Sequence, residues 1–454
     1  MPIFPTPAIK SSYSVRAGDT LSGIAAANGI SLDMLLSVNN LPDPDQLTIG
    51  QVINFPAMPE TETGDYKIIP DGRLIRGPGS AGFDIEGFIA SQPGYIHLAA
   101  DTVNDQLLTG TEVIRRVSLE YSVDARLLLA LLEYKAKWLS QLELDDIQKS
   151  NPMEGQASPD GIDRTGLYKQ LSWAANQLNM GYYGWKYRAS SILELPDSVR
   201  MRYSSGLNPA TVGIQYFLSQ NSSYANWLQA VSQNGFHETY LNYFGDPFSD
   251  SVAEPVPPDI SQPVLAFPFP KGQTWFFTGG PHGGWGSGSA WAAIDFAPPD
   301  DRPDDSSLCY VSENWGTAVA AGVIDRSEDG SVILDLDMDG NEATGWTILY
   351  LHMASDGRVK VGTTVQPGDP IGKPSCEGGF SNATHMHIAR RYNGEWIPVD
   401  CDSCSFSDTF PAFVMAGWTV HGLTNQEYQG NMVDGEDQRT AEQGRLTPIN
   451  RVSW

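Results

Sequence analysis

Two proline-rich stretches, residues 56–65 and 248–263, cut a 454-residue chain into three lengths whose textures no single fold can share. A chain this long exceeds what one hydrophobic core serves, and proline, which withholds a backbone donor and fixes φ, marks where the cores stop. The first length, residues 11–57, has Tyr13 and Val15 in a short alternating strand. Leu21, Ile24 and Ala25, then Leu32, Leu35 and Leu36, follow at helical spacing, and residues 47–56 close with a strand. A linker over 58–79 leads to residues 80–247, where 126–135 is apolar on nearly all sides, as a helix buried in a bundle must be. After a second linker, 248–263, residues 264–424 turn to short β-branched runs split by Gly and Pro, the pattern of an antiparallel β-rich domain. Residues 425–454 read as a polar tail. The class expected is therefore multidomain α+β: a small two-stranded unit, a helical domain and a β-rich domain.

Lys and Arg number 28 against 54 Asp and Glu, a formal charge of −26. That balance repels nucleic acid and anionic membrane or teichoic-acid surfaces. No apolar run approaches the roughly 20 residues that span a bilayer, and residues 1–7 lack the charged start and apolar core of an export signal. Either such a signal has been trimmed or the protein stays inside. Cys309, Cys376, Cys401 and Cys404 all fall in the last third, an even, clustered set that suits two disulfides in any of three connectivities. Disulfides in turn favour a secreted or cell-envelope location. Cys401 and Cys404 also have the spacing of half a zinc site, but no second close pair accompanies them.

The chemistry-bearing residues lie in the third length. Four of the seven histidines, His282, His352, His385 and His387, fall there within about a hundred residues. Side chains at i and i+2 of a strand share a face, so His385 and His387 present two imidazoles together, and Tyr350 and His352 should do the same on another strand. Catalytic zinc takes three protein ligands and keeps one position for water. His282, Asp295 and His387 would supply a His₂Asp set whose single negative charge leaves bound water able to ionise near neutral pH. His385 is then placed to take the water's proton, and His352 to stabilise the oxyanion or protonate the leaving amine. Asp335, Asp337 and Asp339 with Gly340 begin like a calcium loop, although Trp346 stands where the closing Glu belongs. An acidic hairpin turn between residues 332–334 and 346–348 is the simpler reading.

Residues 15–25, Asn39 and residues 47–51 resemble a LysM module. The resemblance implies a groove for N-acetylglucosamine-containing glycan lined by Gly18, Asp19, Thr20 and Ile49, of which Gly18 and Ile49 suit packing of so small a fold equally well. Residues 121–132 and 166–170 resemble the helices of lysozyme-like lytic transglycosylases, but Lys135-Ala136 stands where that family has its acid and a Ser. A protonated lysine cannot donate as a raised-pKa carboxylic acid does, and Glu133 points about 200° away around a helix. The middle domain is thus expected to be an inactive glycan-binding or spacer module. Residues 294–297, 321–324, 350–352, 361–372 and 385–387 resemble, in order, the M23 zinc endopeptidases of bacterial cell walls. The commonest branch has its first His ligand four residues before the Asp, where this chain has Trp291. His282 and its Gly-rich surroundings instead resemble the β-lytic and staphylolysin-like branch, which also carries a cysteine shortly before the His-x-His pair, as Cys376 does here. The resemblance implies one catalytic zinc held by His282, Asp295 and His387, catalysis by His352 and His385, and substrate contact by Tyr350. The expected function is a monomeric, zinc-dependent endopeptidase cutting cross-links or stem peptides of peptidoglycan. Loops 283–290 and 300–307 would set its specificity. A non-catalytic wall-binding or regulatory protein that keeps the fold is the alternative, and glycan cleavage by the middle domain is a third.

Overall fold

The computed structural model describes residues 12–454 apart from 17, 28–31, 42, 44–45, 56–60, 157, 159, 189–190, 250–254, 301–307, 401–409, 424–425 and 445–447. In the first unit β1 (Ser12–Ser14) pairs antiparallel with β2 (Val52–Asn54), and α1 (Leu21–Ala27) and α2 (Leu32–Val38) lie between them in the chain. Val15, Leu21, Ile24, Ala25, Leu35 and Ile53 are its whole buried core among the described residues. With so little apolar area, polar closure carries weight. Asn39 donates to the carbonyls of Leu35 (2.8 Å) and Asn54 (2.7 Å) and accepts from Asn54 N (2.8 Å), which ties the end of α2 to β2.

The helical domain contains α3 (Ile85–Ala90), α4 (Gly110–Tyr121), α5 (Ala125–Ala136), α6 (Asp146–Ser150), α7 (Leu167–Arg188), α8 (Pro209–Ser219), α9 (Tyr224–Ala230) and α10 (Phe236–Phe244). Two hairpins accompany them, β3 (Ala100–Val103) with β4 (Gln106–Thr109) and β5 (Ile192–Glu194) with β6 (Arg200–Arg202). α5 starts where the Asp124 side chain accepts from Arg126 N, and its leucines 127–129, 131 and 132 are fully buried, as a helix apolar all round requires. The domain begins earlier than expected. Ile68, Ile69, Leu74 and Ile75, read as linker, lie in its core, held by Ile68 N donating to Thr211 Oγ1 (2.9 Å) and Asp124 N to Leu74 O (2.8 Å). Two adjacent apolar pairs fit neither a helical nor a strand period, and only their tertiary partners give them a place.

The third domain is built on a nine-stranded sheet. Its strands are β7 (Thr274–His282), β8 (Ala293–Ala297), β10 (Gly322–Glu328), β11 (Ser331–Asp335), β12 (Trp346–Leu351), β13 (Thr364–Val365), β15 (Met386–Tyr392), β16 (Glu395–Trp396) and β21 (Arg451–Ser453). The order is β13-β10-β11-β12-β15-β8-β7-β21, all antiparallel, with β16 paired to β15. β9 (Gly316–Thr317) pairs with β14 (Pro370–Gly372). β17 (Val414–Met415), β18 (Trp418–Leu423), β19 (Gln426–Asp434) and β20 (Asp437–Thr440) form a further sheet. Residues 425–454 are therefore no tail. They supply β19 to β21, with Val452 buried and paired to Trp275. Gln426–Asp434 escaped notice because its burial falls on so few positions, chiefly Gly430 and Met432, that no apolar alternation shows.

The central strands are buried on both faces, which is why they read as continuous apolar runs. Ile294, Phe296, Val332, Leu334, Ile348, Tyr350, Met386 and Ile388 face the β-domain core. Ala293, Ile333, Leu349, Leu351 and Ala389 face the other way and join the core of the helical domain. The join is also polar. Glu395 is fully buried and receives Tyr182 Oη (3.0 Å), Tyr187 Oη (2.5 Å) and Lys186 Nζ (2.7 Å) from α7, while Trp396 N donates to Tyr183 Oη (3.0 Å). The second stretch read as linker is strapped down as well: Trp346 Nε1 donates to Ser261 O (3.0 Å), and buried Arg390 donates to Gln262 Oε1. Cys309 and Cys376 are bonded, Cα to Cα 5.6 Å; Cys401 and Cys404 lie outside the described residues. Among the described residues, no helix is long and apolar enough to cross a membrane.

Candidate metal centre

β8 places Asp295, and β15 places His387 directly opposite it in register. His282 comes from the end of β7, whose pairing with β8 slips twice, between Phe277 and Gly279 and between Gly279 and His282. These irregularities bring Gly279 opposite Asp295, and a Cβ there would lie 2.5 Å from Asp295 Oδ2. Glycine is thus what leaves room for the carboxylate. His282 Nε2 and His387 Nδ1 each stand 3.3 Å from Asp295 Oδ1 and 2.9 Å from one another. His385 Nε2 is 3.6 Å from the same oxygen.

The outer nitrogens of these rings decide what the inner ones can be. His282 Nδ1 donates to Gly280 O (2.8 Å), His387 Nε2 to Gly284 O (3.0 Å), His385 Nδ1 to Ala383 O (2.8 Å) and His352 Nδ1 to Glu377 O (3.2 Å). A carbonyl only accepts, so in each neutral imidazole the hydrogen sits on that outer nitrogen. The nitrogens facing Asp295 then carry lone pairs. Asp295 Oδ1, buried, has no hydrogen-bond donor. Three electron-rich atoms converge with no hydrogen among them, an arrangement that is costly when empty and is what a cation would resolve. Burial works to raise the Asp295 carboxyl, and only protonated His282 and His385 would hold it well below the usual carboxylate range; with the rings neutral, a cation has to supply that charge. The three residues fit zinc by donor type, since imidazole nitrogen and carboxylate oxygen are both zinc ligands.

His385 and His352 flank this trio, their ring centroids 4.5 Å apart. His385 is the most open of the four histidines, its side chain 18 % exposed. Burial pushes the His352 imidazole down to about 3. The strand-period expectation fails at Tyr350. His352 lies just past β12 with φ +66°, so the chain leaves the pleat there and Tyr350 and His352 no longer share a face. Tyr350 sits fully buried in the β-domain core with its hydroxyl accepting from Val319 N (2.8 Å), with no exposed surface to offer a substrate.

Several residues at the centre had no sequence signal. Ser375 donates from N (2.6 Å) and Oγ (3.0 Å) to His352 O and bridges His385, fixing the two histidines to one another. Tyr428 stacks on His282, centroids 4.3 Å apart, and Glu427 accepts from Gly283 N (3.2 Å). Both come from the strand mistaken for tail. Loop 283–290 docks on α7 instead of standing free: Gly288 N donates to Asn176 Oδ1 (2.8 Å), and Asn176 Nδ2 to Ser287 Oγ (3.2 Å). Residues 301–307 of the other expected specificity loop lie outside the described residues.

In the first unit Asp19 accepts from Arg16 N (2.6 Å) and Tyr13 Oη (2.9 Å), and Thr20 Oγ1 accepts from Gly23 N (3.0 Å), so both pin the fold. Ile49 is 70 % exposed beside them in the fold's turns. The three aspartates of the calcium-like loop are spent on their own hairpin turn. Asp335 accepts from Asp337 N (3.1 Å) and Gly340 N (2.9 Å), Asp337 from Asp339 N (3.3 Å) and Asp339 from Thr344 Oγ1 (2.6 Å). With Trp346 in the closing position, already in β12, calcium has no support there.

Residues 67–257 match the family described as LasA, N-terminal domain, and residues 13–56 match the LysM domain. The middle domain thus takes its match from LasA, where its helices had suggested lytic transglycosylases. Protease LasA of Pseudomonas aeruginosa is 22 % identical over 349 residues, 72 % of this chain and 74 % of its own length. Beta-lytic metalloendopeptidase of Achromobacter lyticus is 27 % identical over 145 residues, 30 % of this chain and 35 % of its own. N-acetylmuramoyl-L-alanine amidase XlyB of Bacillus subtilis is 54 % identical over 46 residues, 10 % of this chain and 14 % of its own. These matches make the chain similar to Protease LasA over most of its length and to beta-lytic metalloendopeptidase over part of it, with a LysM domain ahead of the LasA-like region.

Proposed function

We propose that this protein is a zinc-dependent endopeptidase that cuts the peptide part of bacterial peptidoglycan, acts outside the cytoplasm as a monomer, and is held at the wall by its LysM domain. The observation that carries the reading is the donor-free convergence of His282 Nε2, Asp295 Oδ1 and His387 Nδ1. These three residues would hold the zinc. When bound, zinc supplies Lewis-acid polarisation of the scissile carbonyl and acidifies water.

The chain's own residues do the rest. His385 Nε2, a lone pair in the most exposed of the four rings, accepts the proton of the attacking water. His352 lies beside His385 at the same centre, placed to relay to the leaving amine the proton that His385 takes from the water. Ser375 keeps the two rings in register. The relatives' names, a protease and a metalloendopeptidase, support peptide hydrolysis, and the amidase sharing the LysM unit supports the wall as target. Gly18 and exposed Ile49, with the turn that Asp19 and Thr20 brace, would meet the glycan. The Cys309–Cys376 bond supports an oxidising location.

The test is release of new amino termini from purified peptidoglycan by wild type and His385→Ala, each with its zinc content measured. About one zinc in both, with cutting only in wild type, is the expected result. Zinc in both with no cutting by wild type across several wall types would favour a non-catalytic wall-binding protein.

A further inference from the structure

Between β14 and β15 runs a loop whose most prominent side chain the chemistry above does not use. Phe380 is 91 % exposed, although phenylalanine is among the residues most often buried. The loop around it is anchored. Cys376 is bonded to Cys309, and Ser381 Oγ donates to Ala383 O (2.9 Å). Gly378 and Gly379 are both left-handed, φ +73° and +58°, a pair of conformations that turns the chain sharply outward. A Cβ at Gly378 would lie 2.2 Å from Asp329 O, so the turn is wedged against the β10–β11 connection.

Both neighbours of Phe380 border the histidines that flank the metal ligands. A Cβ on Gly379 would stand 3.8 Å from His352 Cε1, and Ser381 Oγ is 3.4 Å from His385 Nδ1. Phe380 therefore rises from the rim of the centre on its His352–His385 side. Tyr428, stacked on His282 and 47 % exposed, stands on the other side. A phenyl ring has no hydrogen-bonding group, so what it gains from a ligand is apolar area taken out of water. Glycine offers almost none.

On the peptidase reading, on which this rests, we infer that Phe380 is a specificity-determining residue. It packs against an apolar side chain, alanine-sized or larger, on a peptide residue adjoining the bond that is cut, and it sets KM without entering the proton transfers. The experiment uses the full chain, zinc-loaded, as wild type, Phe380→Ala and Phe380→Leu. Each is given an all-glycine peptide and counterparts with a single alanine at successive positions around the cut. Phe380→Ala should raise KM for an alanine peptide about tenfold with kcat kept and leave the all-glycine peptide unchanged, Phe380→Leu should recover most of the loss, and zinc content should stay the same in all three. Equal KM shifts on every peptide, or none, in an active enzyme would overturn this inference alone. A wild type that holds zinc yet cuts none of the peptides would overturn the peptidase reading and this inference with it.

Discussion

Asp295 in the β domain and Glu133 in the helical domain are both buried carboxylates, and their surroundings are opposites. Glu133 is saturated with donors: Leu139 N (2.9 Å), Ser140 N (3.1 Å) and Ser140 Oγ (2.7 Å) all reach it, so its charge is spent closing the turn after α5. Asp295 Oδ1 meets only acceptor nitrogens. Glu395 resembles Glu133, with two tyrosines and a lysine around it, and Asp71 stands between the extremes with donors from Ala210 N (2.9 Å) and Asn208 Nδ2 (2.6 Å). A buried carboxylate costs free energy unless donors or cations surround it, so of these four the one that lacks donors is the one a cation would stabilise most.

The comparison breaks most sharply at Asp295. Asp295→Asn places an amide, with hydrogens of its own, among the lone pairs. Zinc content should fall from about one per chain to under a tenth, and wall-peptide hydrolysis by at least roughly a thousandfold. Retained zinc would mean the carboxylate is not a ligand. Glu395→Ala should leave zinc unchanged but strand Lys186 and both tyrosines, costing about 3–5 kcal/mol in urea unfolding; a stability change below about 1 kcal/mol would show that the contact contributes little.

At Asp71, burial outweighs Lys186 and the two donors and pushes the carboxyl up to about 6. A carboxyl whose folded pKa exceeds its unfolded value binds more protons when folded. Its contribution is fully present below about pH 4 and is lost as pH rises through about 6. Asp71→Asn should therefore flatten the fall in stability between those values by up to about 3 kcal/mol, read from unfolding curves at a series of pH values. An unchanged slope would place the titration elsewhere. The smallest effect is expected at Glu133→Gln, about 1–3 kcal/mol of stability and none on peptidoglycan hydrolysis. Loss of glycan cleavage in that variant would revive a glycosidase role for the helical domain.

Most of the centre was legible because strand geometry repeats every two residues. His385 and His387 lie on one face for that reason, and Asp295 pairs with His387 across the same sheet. The same rule misplaced Tyr350, since a single left-handed residue, His352, ended the repeat. Other misses share a cause. Ile68, Ile69, Leu74 and Ile75 gain a structural place only from partners over a hundred residues away or across the bundle, and Tyr428 reaches His282 only because a polar strand folds back beside β7. Asn176 clamps loop 283–290 through packing between domains, which no local pattern encodes.

The central claim is that zinc sits among His282, Asp295 and His387, and an anomalous diffraction map at the zinc edge, from crystals grown with zinc, tests it most directly. The account predicts one strong peak about 2.0–2.2 Å from His282 Nε2, Asp295 Oδ1 and His387 Nδ1. A map with no peak there, or with its zinc bound by a set that omits Asp295, would contradict it.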